Sequence, residues 1–445
     1  DRNSESDSYG PDYDINATYP LAEISAITNA PMTAVTNSEG ETTDYTYTNT
    51  GATVTATVPA TAVAAGTTPT ISIAPTTAPE TVSTTVKADG KEAVAYEIKV
   101  DGATLSEANK ATVSFFVGKG LKNVVVYHKN ETTPFAGAQY DANTGFVTIV
   151  SAEFSPFTVA FDAPAAMVDG VAYDSLQAAV NAGGNVVLTK DADITKTGLT
   201  VAGTVTLNLN GHEIHAANKE PGNILVTGTL TLKDSVGTGK IWSDTTYVEG
   251  TADKTVIAVA GTFNMESGTI DTVNKNDPSN NGHFGVGLQG NATVNIKGGT
   301  IKSGWYAVAG NGQDVSTTGN INISGGTLIS TADYAIYHPQ SGTTTITGGV
   351  VDGAAGGVVM QRGTLLVTGG SIASKGTGDT GSWGDGTGGL SNAAIYLNAG
   401  YGDVTATIDS GATLVAGGNA VRIAQGKEAN INLSGSHPAI QDLIG

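Results

Sequence analysis

One short motif, returning along the second half of the chain, restricts the possible folds more than any other feature. It is an alternating strand, a Gly-Gly or Ser-Gly pair, a small residue and then an aliphatic one. Strong copies are Phe263-Asn264-Met265-Glu266-Ser267-Gly268-Thr269-Ile270, Val294-Asn295-Ile296-Lys297-Gly298-Gly299-Thr300-Ile301 and Ile321-Asn322-Ile323-Ser324-Gly325-Gly326-Thr327-Leu328. Thr344-Thr345-Ile346-Thr347-Gly348-Gly349-Val350-Val351 and Leu365-Leu366-Val367-Thr368-Gly369-Gly370-Ser371-Ile372 follow, with weaker copies ending at Gly411 and Gly435. The second glycines at 268, 299, 326, 349 and 370 lie 31, 27, 23 and 21 residues apart. A constant motif at variable spacing predicts a coil of strands whose loops differ in length. A propeller blade, at roughly 40 residues or more, is too long for most of these gaps.

Every second residue of such a strand points inward. Ile296, Ile323, Ile346, Val367, Ile408 and Leu433 are therefore expected to stack as one internal aliphatic column. The glycine pair suits a sharp turn, because glycine tolerates positive φ. A second strand precedes each motif, as in Val286-Gly287-Leu288, Ile336-Tyr337-His338, Val358-Val359-Met360, Ile395-Tyr396-Leu397 and Val421-Arg422-Ile423. Together these features predict a parallel β-helix, a solenoid, over 165–445. Aligning the second strands puts Tyr337, Val359, Tyr396 and Arg422 in one outward column, with Gln361, Asn398 and Gln425 nearby. Aromatic faces flanked by amides and a guanidinium suit a sugar or a protein partner. Tyr337, Tyr396, Arg422, Gln361 and Asn398 are the candidate ligand-binding residues.

The first part of the chain follows a different pattern. Residues 1–45 open on a polar, acidic stretch and are expected to be extended. Residues 46–164 carry period-two runs, such as Ala52-Thr53-Val54-Thr55-Ala56-Thr57-Val58 and Ala111-Thr112-Val113-Ser114-Phe115, separated by turn signals such as Asp101-Gly102. They predict a β-sandwich. After Pro164 comes the one good helical block. Asp174 or Ser175 can cap it, Leu176, Ala179 and Val180 share a face, and Gly183 closes it. The expected architecture is thus all-β: an N-terminal β-sandwich, a short capping helix and a parallel β-helix.

Tyr127-His128, Tyr140-Asp141 and Glu153-Phe154-Ser155-Pro156-Phe157 carry a resemblance to the β-sandwich modules that precede β-helices in surface proteins of Gram-positive gut bacteria. The last segment is also similar to the end of self-cleaving ZU5 and GAIN-type domains, which cut between an apolar residue and Ser or Thr with the help of a preceding His. Here Glu153 stands in the place of that His and Pro156 follows the Ser. A carboxylate is a weaker base and proline restrains its neighbour, so Phe154 and Phe157 are expected to pack the core instead. The helix over 174–183 and the strand after it resemble the cap that opens pectate-lyase-like β-helices. That resemblance implies a right-handed coil, and it implies location on the bacterial cell surface or outside the cell.

Composition excludes several functions. The chain has 21 basic and 41 acidic residues, a net charge of −20. Nucleic acid is a poor partner for such a surface, since phosphate binding needs a basic footprint. There is no cysteine, hence no disulfide and no Cys-based zinc site. No apolar run approaches the roughly 20 residues of a membrane-spanning helix. No cofactor is expected, although the glycines and acids of Gly376–Gly389 could wrap calcium. His212 and His215, three apart, are a weaker metal candidate.

Carbohydrate-active β-helices offer the main rival reading. Glycoside hydrolysis needs two positioned carboxylates, and the chain has no Asp-Asp dipeptide and only Arg2, Arg362 and Arg422 as arginines. Val421-Arg422-Ile423 resembles the Arg-Ile-Lys strand of the polygalacturonase-like hydrolases only superficially, because Ala424 stands where Lys would be. Asp271, Asp277 and Asp352 are expected to be solvated acids. The sequence thus points to a non-catalytic adhesin or stalk that presents a polar face to a surface glycan or protein. A polysaccharide-degrading enzyme is the first alternative, and a self-associating filament subunit the second.

Overall fold

The computed structural model describes residues 24–245, 254–273, 283–375, 393–416, 420–424 and 429–434. The protein is all-β and divides into two compact units, residues 1–175 and 176–445.

The first unit holds two antiparallel sheets. One orders its strands Ile27–Pro31, Thr70–Thr76, Glu92–Asp101, Pro156–Asp162 and Lys122–His128. The other runs Thr33–Thr36, Thr42–Thr48, Val54–Pro59, Ala111–Phe116, Phe146–Ser151 and Ala138–Asp141. Period-two alternation does what it should: Val54, Ala56 and Val58 are buried while the threonines between them are not. Ile71, Ile73 and Ile98 of one sheet share a core with Val113, Phe115 and Ile149 of the other. Phe157 is buried in that core and Phe154 packs against it, as expected.

Three features of this unit differ from the sequence reading. The extended segment expected over 1–45 contains paired strands from Ile27 onward, and Ile24 and Met32 reach the core. The unit also runs past Pro164 to Ser175. A hairpin of Ala166–Val168 and Val171–Tyr173 turns at Asp169-Gly170, both at positive φ, the backbone that suits a two-residue hairpin. Its Met167 joins the core, the Ala172 N–H donates to the Lys119 carbonyl at 2.9 Å, and the Lys119 N–H donates to the Gly170 carbonyl at 2.8 Å. Finally, Glu80–Ala88 is a helix. Five of its nine residues are β-branched, which lowers helix propensity. Burial of Val82 and Val86, one turn apart, overrides that preference.

The second unit begins with the expected helix, Leu176–Ala182, whose buried residues are Leu176, Ala179 and Val180. Gly183 closes it at φ +77°. Beyond it the strands come in threes. Thr262–Met265, Thr269–Asp271 and His283–Leu288 are followed by Thr293–Ile296, Thr300–Ser303 and Val308–Ala309, and so on. Each strand pairs in parallel with the one three places later, which builds three long parallel sheets. The expected column is present in register: Ile296, Ile323, Ile346, Val367 and Ile408, then Leu433. The first five are buried. The second sheet repeats the device with Ile241, Ile270, Ile301, Leu328, Val351 and Ile372.

Outward residues of the first parallel sheet form a polar ladder. Asn322 donates to Asn295 at 2.9 Å, Asn295 to Asn264 at 2.8 Å, and Asn264 to Thr231 at 3.2 Å. The side chains thus satisfy one another along the stack at the strand spacing of about 4.8 Å.

The glycine pairs have two separate causes. Gly268, Gly299, Gly326, Gly349 and Gly370 all have φ between +76° and +89°. The preceding residues Gly298, Gly325, Gly348 and Gly369 have no room for a Cβ, which would meet the carbonyl oxygen of Glu266, Lys297, Ser324 or Thr347 on the previous turn. Gly325→Ala and Gly326→Ala are therefore each expected to cost about 1–3 kcal/mol, read as a lower melting temperature. Gly203→Ala, where open space surrounds the Cβ position, should cost nothing measurable.

Candidate ligand-binding cleft

The third parallel sheet differs from the other two. Its strands His283–Leu288, Tyr334–His338 and Gly356–Met360 are buried on both faces. One face joins the aliphatic interior. The other carries a second, aromatic layer of Phe284, Tyr306, Tyr334, Tyr337, Val359 and Tyr396, with Trp305 packed against it.

The expected outward column is in register, Tyr337 opposite Val359, Val359 opposite Tyr396, and Tyr396 opposite Arg422. Its exposure differs from the expectation. Tyr396 is fully buried, stacks 6.1 Å from Tyr334, and accepts a 3.1 Å hydrogen bond from Asn398 Nδ2. Gln361 and Asn398 are buried too, and Gln361 Oε1 accepts the Gly400 N–H at 3.1 Å. The Arg422 guanidinium lies 5.8 Å from the Tyr396 ring centroid. Asn398 and Arg422 thus contact the Tyr396 ring, and Tyr337 is the one of the five that lines the cleft described next. The continuous apolar runs Tyr334-Ala335-Ile336-Tyr337 and Gly356-Gly357-Val358-Val359 were the available signal, since a strand covered on both faces loses its alternation. Gln425 and Asp277 lie outside the described residues, as does the calcium candidate over 376–389.

The cavity is a cleft of about 430 Å³, within the usual range for small-ligand sites. It opens because the column that carries Tyr337 is small on the preceding turns, with Ala258, Gly287 and Ala309 in register. Gly287, Ala309 and Tyr337 all line it. Part of the lining is aromatic. Trp305 and Tyr306 are 5.4 Å apart and 6° from parallel, Tyr306 and Tyr337 5.0 Å apart and 16° from parallel, and Phe284 leans on both Trp305 and Tyr306. Gln289, Asn311 and Gln313 add amides to the lining.

Rings and amides are fixed before any ligand arrives. Trp305 Nε1 donates to Asp333 Oδ2 at 2.7 Å, and the Tyr334 N–H donates to Asp333 Oδ1 at 2.7 Å. Burial nevertheless pushes the Asp333 carboxyl up to about 6, against the opposing pull of those two donors. Asn311 Nδ2 donates to Gln289 Oε1 at 3.0 Å, and Asn311 Oδ1 accepts the Gln313 N–H at 2.9 Å. Buried Gln340 holds the Asn311 N–H at 3.0 Å. The Gln289 side-chain carbonyl is thus engaged by Asn311, and Gln289 itself lines the cleft.

Asp271 and Asp352, two acids singled out from the sequence, do not line the cleft. Glu220 is the one carboxylate that lines the cleft. Asp271 and Asp352 share a column three strands apart, about 14 Å at the parallel-strand spacing. That exceeds the 5–10 Å of catalytic pairs. Asp352 is not a solvated acid as expected, because it is buried and paired with Lys375. His215 sits 3.0 Å from Asp244 and stacks 4.0 Å from Trp242, and His212 lies 3.4 Å from Asp191. Among the described residues no group of His, Asp or Glu side chains converges as a metal site.

One contact in the first unit was hidden from the sequence. His128 Nε2 is 2.8 Å from Ser155 Oγ, although the two are 27 residues apart. The imidazole stacks on Phe157 at 4.3 Å and meets the edge of Phe135 at 5.1 Å. Desolvation and the neighbouring Lys129 lower its pKa, and Ser155 satisfies a ring nitrogen in that apolar setting. Pairing of the strands Pro156–Asp162 and Lys122–His128 sets this contact, and no local motif encodes it.

No family model, curated protein or solved structure matches this chain. The cleft is therefore interpreted from its own chemistry.

Proposed function

We propose that the protein is a non-catalytic, extracellular bacterial surface protein, an adhesin or stalk, that holds a glycan in the aromatic cleft of its second unit. In this reading the three parallel sheets are the walls of a right-handed parallel β-helix, and the two antiparallel sheets of the first unit form a β-sandwich. The cyclic order of the strands and the in-register aliphatic columns support the first. The core shared between the two sheets supports the second. The resemblance to pectate-lyase-like surface proteins fits both, and among the described residues no helix is long and apolar enough to cross a membrane.

The observation that carries the functional proposal is the mixed lining of the cleft: fixed rings, fixed amides, and one carboxylate where hydrolysis needs two. Rings and amides offer a sugar stacking and hydrogen bonds without any group to break it. A glycan array tests this, followed by product analysis of each bound glycan. Binding without turnover is expected. Trp305→Ala is expected to weaken binding about 10- to 100-fold, the loss of a central aromatic anchor. Released reducing ends would favour the enzyme reading instead.

A further inference from the structure

The cleft selects by charge as well as by shape. The chain carries a net charge of −20, and the cleft adds Glu220 with no lysine, arginine or histidine among its lining residues. A uronate, sialate or sulfate would lose its hydration there with no cation to replace it, next to a like charge. Burying an unpaired charge is among the most costly steps in binding. A neutral ligand meets no such penalty.

A lining that combines aromatic rings with amides suits a ligand that has both an apolar face and a polar rim. The Trp305 indole is held flat by its bond to Asp333 and by Tyr306 behind it. Gln289, another lining residue, has its amide oriented by the hydrogen bond from Asn311 Nδ2. A pyranose ring has a patch of C–H groups on one face and hydroxyls around its rim, so one ring can satisfy both kinds of lining group together. Gly287 lines the cleft with no side chain, a Cβ there would lie 3.2 Å from the Thr255 methyl, and about 430 Å³ admits one or two such rings.

We infer that the cleft is a subsite for a neutral hexopyranosyl unit, one or two sugars long, and that it discriminates against acidic sugars. This rests on the reading of the cleft as a glycan site. Because the rings and amides are held before binding, little ordering cost offsets the contacts.

The full chain is titrated by calorimetry with cellobiose, lactose, maltose, mannobiose and N,N′-diacetylchitobiose, and separately with digalacturonic acid, 3′-sialyllactose and adenosine. At least one neutral disaccharide is expected to bind, at least tenfold tighter than either acidic sugar. Gln289→Ala should weaken that binding about tenfold, and Gly287→Leu, which adds a side chain to the lining, should abolish it. Gln289 is partly exposed, so its variant should keep the wild-type melting temperature even if Gly287→Leu does not fold. Equal or tighter binding of an acidic sugar, or unchanged affinity in Gln289→Ala, would overturn the neutral-pyranose subsite while leaving glycan binding intact. If no saccharide binds, or adenosine alone does, the glycan reading falls with it.

Discussion

Ile323→Ala is expected to lower the unfolding free energy of the second unit by about 2–5 kcal/mol, the cost of a cavity where an aliphatic side chain was fully packed. Ile323 is buried between Ile296 and Ile346 in the same column. Its loss opens a gap that neighbours above and below cannot fill without leaving their own places. The adjacent residue gives the control. Asn322 points outward and donates one 2.9 Å bond to Asn295, so Asn322→Ala should cost only about 1 kcal/mol. Denaturant unfolding compares the two. If the pair reversed its order, the strand would face the other way and the column would be wrong.

The second large effect is a pair of opposed pH dependences, both from groups buried in or beside the third sheet. Burial pushes the His338 imidazole down to about 4 from 6.5. Its Nδ1 meets Thr344 Oγ1 at 2.7 Å, and a hydrogen bond with the Gln340 backbone opposes the larger effect of burial. Between about 6.5 and 4 the unfolded chain holds a proton on this ring that the folded chain does not. The stability is fully present above 6.5 and is lost as pH falls, by up to about 3 kcal/mol. Asp333 acts in the opposite direction. Its folded value of about 6 lies above 3.8, so the folded state holds the extra proton in that window. Stability from Asp333 is full at low pH and is lost as pH rises through about 6, again by up to about 3 kcal/mol.

The two terms nearly cancel between pH 4 and 6 in the wild type, and single variants should separate them. His338→Leu removes the acid-sensitive term, so its stability relative to wild type should improve as pH falls from 7 to 4. Asp333→Asn removes the other, so its relative stability should worsen over the same range. Each variant also carries an offset that does not depend on pH, since Thr344 or Trp305 loses its partner. The slope of the difference in unfolding free energy is the readout. Parallel curves for wild type and both variants would show that neither group is held as described.

The internal column was legible because it rests on one rule, period-two alternation, repeated with a fixed turn. Ile296, Ile323 and Ile346 could be aligned from the glycine pairs alone. The helix Leu176–Ala182 was legible for the same reason, since Leu176, Ala179, Val180 and Gly183 follow a local pattern. The helix at Glu80–Ala88 was not, because its β-branched composition points to strand and only tertiary burial of Val82 and Val86 reverses that. Thr344 shows the limit from inside the core. It occupies an otherwise aliphatic column between Ile321 and Leu365, and only the buried ring of His338 explains its hydroxyl.

The site was half legible. The register of Tyr337, Val359, Tyr396 and Arg422 followed from the repeat. Their burial did not, because alignment of strands says nothing about what covers them. The cleft itself depends on Phe284, Trp305 and Tyr306, which fall between motifs, and on the small residues Gly287 and Ala309 that leave space. Trp305 is fixed by Asp333, 28 residues away, a contact that exists only once the parallel strands have paired.

The most direct measurement is a crystal structure of the full chain with the tightest-binding saccharide from the array. The account requires an intact sugar in the cleft, its apolar face on Trp305 and its hydroxyls toward Gln289 and Asn311. An empty cleft with the sugar bound elsewhere, or a cleaved glycosidic bond beside Glu220, would contradict it.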